Sequence, residues 1–222
     1  MVELAEVITA ATARGPHQRV VVSGNFATPV ELLTPLLEQL DAPILHALNL
    51  QTYVPIPDGV TPETTFVGPG MRRHPALSYI PSRLSMVPAL YRDHLAVDVV
   101  VVHTTPPRDG KVSLGVEVNV LPAAIEAARA HGGLVVAAVN PRMPWTYGDA
   151  EIDTDLVDLA VAVDAELISH VPGTPGADAV RIGASVAAQI QDGATLQAGI
   201  GEVPDATVAG LTTRGGLRVW TE

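Results

Sequence analysis

Three unbroken apolar runs constrain this chain more than any other feature: the valines of "RVVVSGN" (19–25), those of "AVDVVVVHTTP" (96–106), and "LVVAAVN" (134–140). A strand that alternates apolar and polar residues can keep one face wet. A strand that is apolar at every position must be covered on both faces, which is the condition of a parallel sheet flanked by helices. Segments between the runs have the helical period. Residues 2–13 predict a short helix, and "TPVELLTPLLEQL" (28–40) predicts a second, with Thr28 as its cap and Pro29 at the first helical position. A strand at 42–50 completes a strand–helix–strand unit. Further on, 84–94 reads as a helix, 121–133 as a helix with a glycine stop, and 157–164 as one more strand.

Residues 51–82 are rich in proline and glycine and too long for an ordinary connection. They are expected to lie over the sheet as loops, with a short strand near "TTFVG". "GTPGAD" (173–178) reads as a linker. After it come a helix at 179–190, the strand "ATLQAGIG", a helix from Pro204 and the strand "LRVWTE". The expected fold class is α/β, an open and mostly parallel sheet with flanking helices. The expected organisation is one α/β domain over 1–176, followed by the incomplete opening of a second, similar domain over 177–222.

Composition narrows the function classes. The net charge of −11 repels phosphate backbones and anionic lipid surfaces, so neither nucleic acid nor membrane is an expected partner. There is no cysteine, which removes disulfides, thiol catalysis and cysteine-based metal sites. The first 15 residues lack a basic start and an apolar core, so a cytoplasmic location is expected. The seven histidines are scattered; His103 follows an apolar run with no second ligand at metal spacing, and no metal site is expected.

The candidate chemistry lies at the end of the chain. In "ATLQAGIGEVP" (194–204) a strand meets Gly199 and Gly201 and then a helix, a turn that brings backbone N–H groups close to an anion. The alternative is a tight turn with no ligand. A full dinucleotide fingerprint would need glycine at 204, which is Pro204, so an oxidoreductase domain is a weak rival. Glu222 follows Gln197 by 25 residues, at the carboxyl end of the last expected strand. With an ordinary pKa of about 4.3 it is a ready carboxylate nucleophile at neutral pH, or else simply a solvated terminal residue. Asn140, Met143 and Thr146 follow another strand; Asn140 either orients a substrate carboxylate or holds its own loop. For Arg72, Arg73 and His74 the choice is between an anion contact and plain solvation, and for Gly24 and Asn25 between packing and ligand contact.

Several stretches in order along the chain resemble the acetyl-CoA hydrolase/transferase family, which includes 4-hydroxybutyrate and succinyl–acetate CoA-transferases. They are "VVSGNFATPVELL", "YIPSRLSMVPALY", "DVVVVHTTPPRDGKVSLGVEVN", "AAVNPRMPWTYGDAEI", "DGATLQAGIGEVPDATV" and "GLRVWTE". The resemblance implies the architecture shared by CoA-transferases and sugar-phosphate isomerases. It makes Glu222 the nucleophile, and Gln197, Ala198, Gly199, Ile200, Gly201, Glu202 and Val203 the turn that contacts coenzyme A and the reacting carbonyl. Asn140, Met143 and Thr146 become candidate substrate contacts. Acyl-CoA and a small carboxylate are the implied substrates, with no permanently bound cofactor. Trp220 departs from the smaller or polar residue the family commonly carries there. Family members are roughly twice this length, so either a homo-oligomer or a need for the C-terminal half is implied. Rival readings are an acyl-CoA hydrolase and a non-catalytic domain that docks to a partner chain.

Overall fold

The computed structural model describes residues 1–169 and 173–220. The chain forms two compact units, Met1–Ser169 and His170–Glu222. In the first, α1 (Leu4–Thr12) leads to β1 (Arg19–Val22), α2 (Val30–Gln39), β2 (Ile44–Ala47), β3 (Thr61–Thr64) and β4 (Ser78–Tyr79). Then come α3 (Val87–Asp93), β5 (Val99–Thr104), β6 (Lys111–Ser113), α4 (Leu121–Ala130), β7 (Leu134–Val139), β8 (Glu151–Asp153) and β9 (Leu159–Ala162). Seven strands form one all-parallel sheet in the order β4-β3-β2-β1-β5-β7-β9. This is the α/β arrangement, a parallel sheet with flanking helices, expected of the three apolar runs.

Those runs are apolar throughout because each serves two cores. Val20, Val22, Val99, Val101, Val136 and Ala138 pack on the side of α1 and α2. Val21, Val100, Val102, Val135, Ala137 and Val139 pack on the side of α3 and α4. With period-two alternation, every position of β5 and β7 is buried on one face or the other.

Two local expectations are corrected, and one strand pair is new. Thr28 does not cap α2: its hydroxyl donates to the Ser23 carbonyl (2.6 Å), closing the turn after β1, and Pro29 takes the cap position. The region 51–82 carries two strands, β3 and β4, and β3 begins before "TTFVG". Pro62 is tolerated inside β3 because the Thr61 N–H points toward β2, which turns position 62 toward β4, and β4 pairs only from Glu63 onward. Finally, β6 and β8 form an antiparallel pair that no local pattern announced. Its entry is the Asp109-Gly110 turn, both residues at positive φ, with Arg108 and Lys111 exchanging backbone hydrogen bonds.

One buried polar cluster crosses the sheet. The Arg19 guanidinium donates to both Glu63 oxygens (2.8 and 3.3 Å), and His46 Nδ1 lies 2.9 Å from Glu63 Oε1. The His46 ring meets Tyr91 edge-on at 5.4 Å. Burial alone would raise the Glu63 carboxyl, but the hydrogen bonds and charges of His46 and Arg19 outweigh it and hold its pKa at about 2.

The second unit contains α5 (Ala177–Ala187), β10 (Thr195–Leu196), α6 (Glu202–Ala209) and β11 (Arg218–Val219), with β10 and β11 parallel. Helices α5 and α6 meet at Gly183, where a Cβ would lie 2.8 Å from Ala206. Among the described residues no helix is long and apolar enough to cross a membrane.

Candidate functional site

In the first unit the sheet order reverses between β1 and β5, and the carboxyl ends of these strands frame the crevice where open α/β sheets take ligands. The glycine turn after β1 is already occupied by an internal anion. Glu117 Oε1 accepts from the N–H of Gly24 (3.0 Å) and from the side-chain amides of Asn25 (3.0 Å) and Asn119 (2.8 Å), while Oε2 accepts from the Asn25 N–H (3.1 Å). Glu117 is buried. Asn25 Oδ1 in turn accepts from Asn49 Nδ2 (2.6 Å), and its carbonyl accepts from the Tyr53 hydroxyl (2.9 Å). Gly24 is required by packing, since a Cβ there would sit 1.9 Å from the Leu48 carbonyl oxygen.

At the ends of β5 and β7, His103 and Asn140 form a second network. His103 Nδ1–H donates to the Ala27 carbonyl (3.1 Å), which leaves Nε2 to accept from Asn140 Nδ2 (3.0 Å). Asn140 Nδ2 also donates to the Ala165 carbonyl, and its Oδ1 accepts the Arg142 N–H. Burial lowers the His103 pKa from 6.5, so the ring is neutral at pH 7. The fully buried Asn140 thus spends both side-chain atoms on the protein. Met143 is buried beneath Gly115. The Thr146 hydroxyl donates to the Gly115 carbonyl (2.7 Å), and its N–H donates to Ser113 Oγ (3.0 Å). Met143 and Thr146 therefore meet at the 113–115 loop, while Asn140 joins His103.

In the second unit, the turn between β10 and α6 is built around Gly201 at φ 138°, a conformation L side chains rarely adopt. The helical ladder of α6 starts with the Asp205 N–H on the Gly201 carbonyl (3.0 Å), so the Glu202 and Val203 amides precede it. A Cβ added at Gly199 or Gly201 would meet nothing within 4 Å, so the turn is open to an approaching group. Gln197, Ala198, Gly199 and Val203 line a cavity of about 230 Å³, together with Leu196 and Leu211. Ile200 is 93% exposed, and Glu202 is also exposed. The Trp220 N–H donates to the Leu196 carbonyl (2.7 Å), which carries β11 alongside the start of the turn. Glu222 lies outside the described residues.

Sequence reasoning missed Glu117 and the partners of His103. A signal for the first was present: a lone acid between valines in "GVEVN" has no obvious solvated face. None was present for the second, because His103 and Asn140 meet only when β5 pairs with β7.

Residues 63–172 match the family model of the acetyl-CoA hydrolase/transferase N-terminal domain. The chain is 34% identical over 217 residues to a succinyl-CoA:acetate/propanoyl-CoA:succinate CoA transferase of Fasciola hepatica, covering 91% of this chain and 45% of that protein. It is 32% identical over 220 residues to a 4-hydroxybutyrate coenzyme A transferase of Clostridium kluyveri, covering 93% of this chain and 50% of that one. The crystal structure of 4-hydroxybutyrate CoA-transferase from Porphyromonas gingivalis superimposes with a TM-score of 0.72 at 28% identity, over all of this chain and 53% of that one. The chain thus spans about half the length of the curated relatives it matches. On these matches the chain belongs to the acetyl-CoA hydrolase/transferase family, with residues 63–172 in its N-terminal domain.

Proposed function

We propose that this chain takes part in transferring coenzyme A between a short-chain acyl-CoA and a small carboxylate, through a glutamyl-CoA thioester at Glu222. The observation that carries the reading is the match to two CoA-transferases across nine-tenths of the chain. The open, glycine-built turn at 197–203 supports it. In the proposed cycle a Glu222 carboxylate oxygen attacks the thioester carbonyl and the C–S bond breaks, giving a mixed anhydride and CoA thiolate. The thiolate attacks the glutamyl carbonyl, releasing the first acid and leaving glutamyl-CoA. An incoming carboxylate runs the two steps in reverse. Each addition places negative charge on a carbonyl oxygen, and amides of the 199–201 turn are the proposed donors to it. Gln197, Ala198, Gly199, Ile200, Gly201, Glu202 and Val203 form the proposed coenzyme contact. Asn140, Met143 and Thr146 serve the carboxylate side, acting through the loops they hold in place. Exclusion of water decides between transfer and hydrolysis, because water would cleave the same anhydride.

A second reading, in which the last strand–helix–strand unit docks against further protein before it works, is favoured by Val219 and Trp220, which are 69% and 76% exposed. The two readings are compatible, since the relatives are about twice as long. The test is exchange of labelled acetate into acetyl-CoA by the chain and by Glu222→Gln. The variant is expected to lose exchange while still binding CoA; full exchange in the variant would remove Glu222 as nucleophile. Binding of NAD in preference to CoA would instead return the dinucleotide reading.

A further inference from the structure

The carboxyl edge of the first unit's sheet offers two places where an anion could be held, and they are in opposite states. At the turn after β1 the donors are already committed: the Gly24 and Asn25 amides both go to Glu117, which leaves a negative charge where a phosphate would have to sit. The second place is the connection from β3 to β4, where Arg72, Arg73 and His74 line a cleft of about 610 Å³ with Thr52, Pro69 and Gly70.

This connection is rigid where it carries the cations. Gly68 and Gly70 lie so close to the exit of β2 that a Cβ would fall 2.3 Å from the Asn49 carbonyl carbon and 2.5 Å from the Gln51 carbonyl oxygen, respectively. The Gly70 N–H donates to the Leu50 carbonyl (2.8 Å), and Met71 is fully buried in the core below. One helical turn then raises Arg72 and Arg73 into solvent, with the Arg72 N–H on the Gly68 carbonyl and the His74 N–H on the Met71 carbonyl. The Ala76 N–H donates to His74 Nδ1 (3.3 Å), which leaves Nε2 as the ring nitrogen that can donate to a ligand.

Among the described residues the guanidiniums of Arg72 and Arg73 have no carboxylate partner. Arg19, Arg92, Arg129, Arg142 and Arg181 each pair with a carboxylate. Arg14, Arg83, Arg108, Arg214 and Arg218 also lack one among the described residues; what sets Arg72 and Arg73 apart is their adjacency on a pinned turn beside a cleft. The side-chain hydrogen bond found for Arg72 is a long one to the Val67 carbonyl (3.5 Å). Two adjacent arginines on a pinned turn, unpaired in an acidic protein and lining a cleft, suit a doubly charged phosphate or a diphosphate.

We propose that Arg72, Arg73 and His74 form a phosphate-binding site at the β3–β4 connection that takes a diphosphate group. The test is calorimetric titration of the full chain and of the doubly substituted Arg72→Gln/Arg73→Gln chain with inorganic pyrophosphate. Both arginines are exposed, so the variant is expected to keep its circular dichroism and melting point. The expected result is binding of pyrophosphate to the full chain, weakened about tenfold or more in the variant. Pyrophosphate bound equally by both chains, or by neither, overturns the site.

Discussion

In Met1–Ser169 every side chain of β1, β5 and β7 except Arg19 is buried, whereas in His170–Glu222 Ile200, Val208, Val219 and Trp220 stand 93, 52, 69 and 76% exposed. The larger unit covers both faces of its sheet with its own helices. Among its described residues the smaller has two helices and a two-stranded sheet, too little chain to bury its apolar residues by itself. The expected chemistry, the 197–203 turn and Glu222, belongs to the smaller unit. The larger unit thus brings a stable framework and its own polar networks, and the smaller brings the proposed reacting groups.

The contrast is broken most strongly at Glu63. Glu63→Ala leaves Arg19 and His46 without their carboxylate in the core of the larger unit and is expected to cost about 3–5 kcal/mol, read as a drop in its unfolding free energy in urea. The same residue sets a pH dependence. Its folded pKa of about 2 lies below the usual 4.5, so its contribution is complete above the usual value and is lost as pH falls from about 4.5 to about 2. Melting of the native chain should fall through that window, and the Glu63→Ala chain should show a shallower fall.

A smaller effect, confined to the other unit, is expected of Gly183→Val. The new side chain meets Ala206 and pushes α5 from α6, at about 1–3 kcal/mol, read as faster amide exchange in 177–209 with exchange in β5 and β7 unchanged. Equal acceleration in both regions would show that the units do not unfold separately. The smallest effect is expected of Trp220→Ala. With the ring 76% exposed, stability should move by no more than about 0.5 kcal/mol, while association with any protein that covers this face should weaken.

Much of the larger unit was legible in the sequence because two-sided burial leaves an unmistakable trace: four consecutive valines in β5 admit few arrangements other than an inner parallel strand. Positions that depend on pairing distant segments were not legible. Thr28 resembles a helix cap in sequence, yet the Ser23 carbonyl, placed by the turn after β1, claims its hydroxyl. Glu117 lies 93 residues from Gly24, and nothing local ties an acid in "GVEVN" to a glycine turn. The β6–β8 pair depends in the same way on Ser113 meeting Glu151. For the proposed site, the 194–204 stretch showed its strand, glycines and helix directly, since Gly201 acts through its own backbone.

The most direct test of the central claim is the intact mass of the chain after incubation with acetyl-CoA, beside that of Glu222→Gln. A mass increase equal to CoA less one water, removed by hydroxylamine and absent from the variant, is the result predicted for a glutamyl-CoA thioester at Glu222. The same adduct on the Glu222→Gln chain, or acetate exchange by the native chain with no adduct at any time, would contradict it.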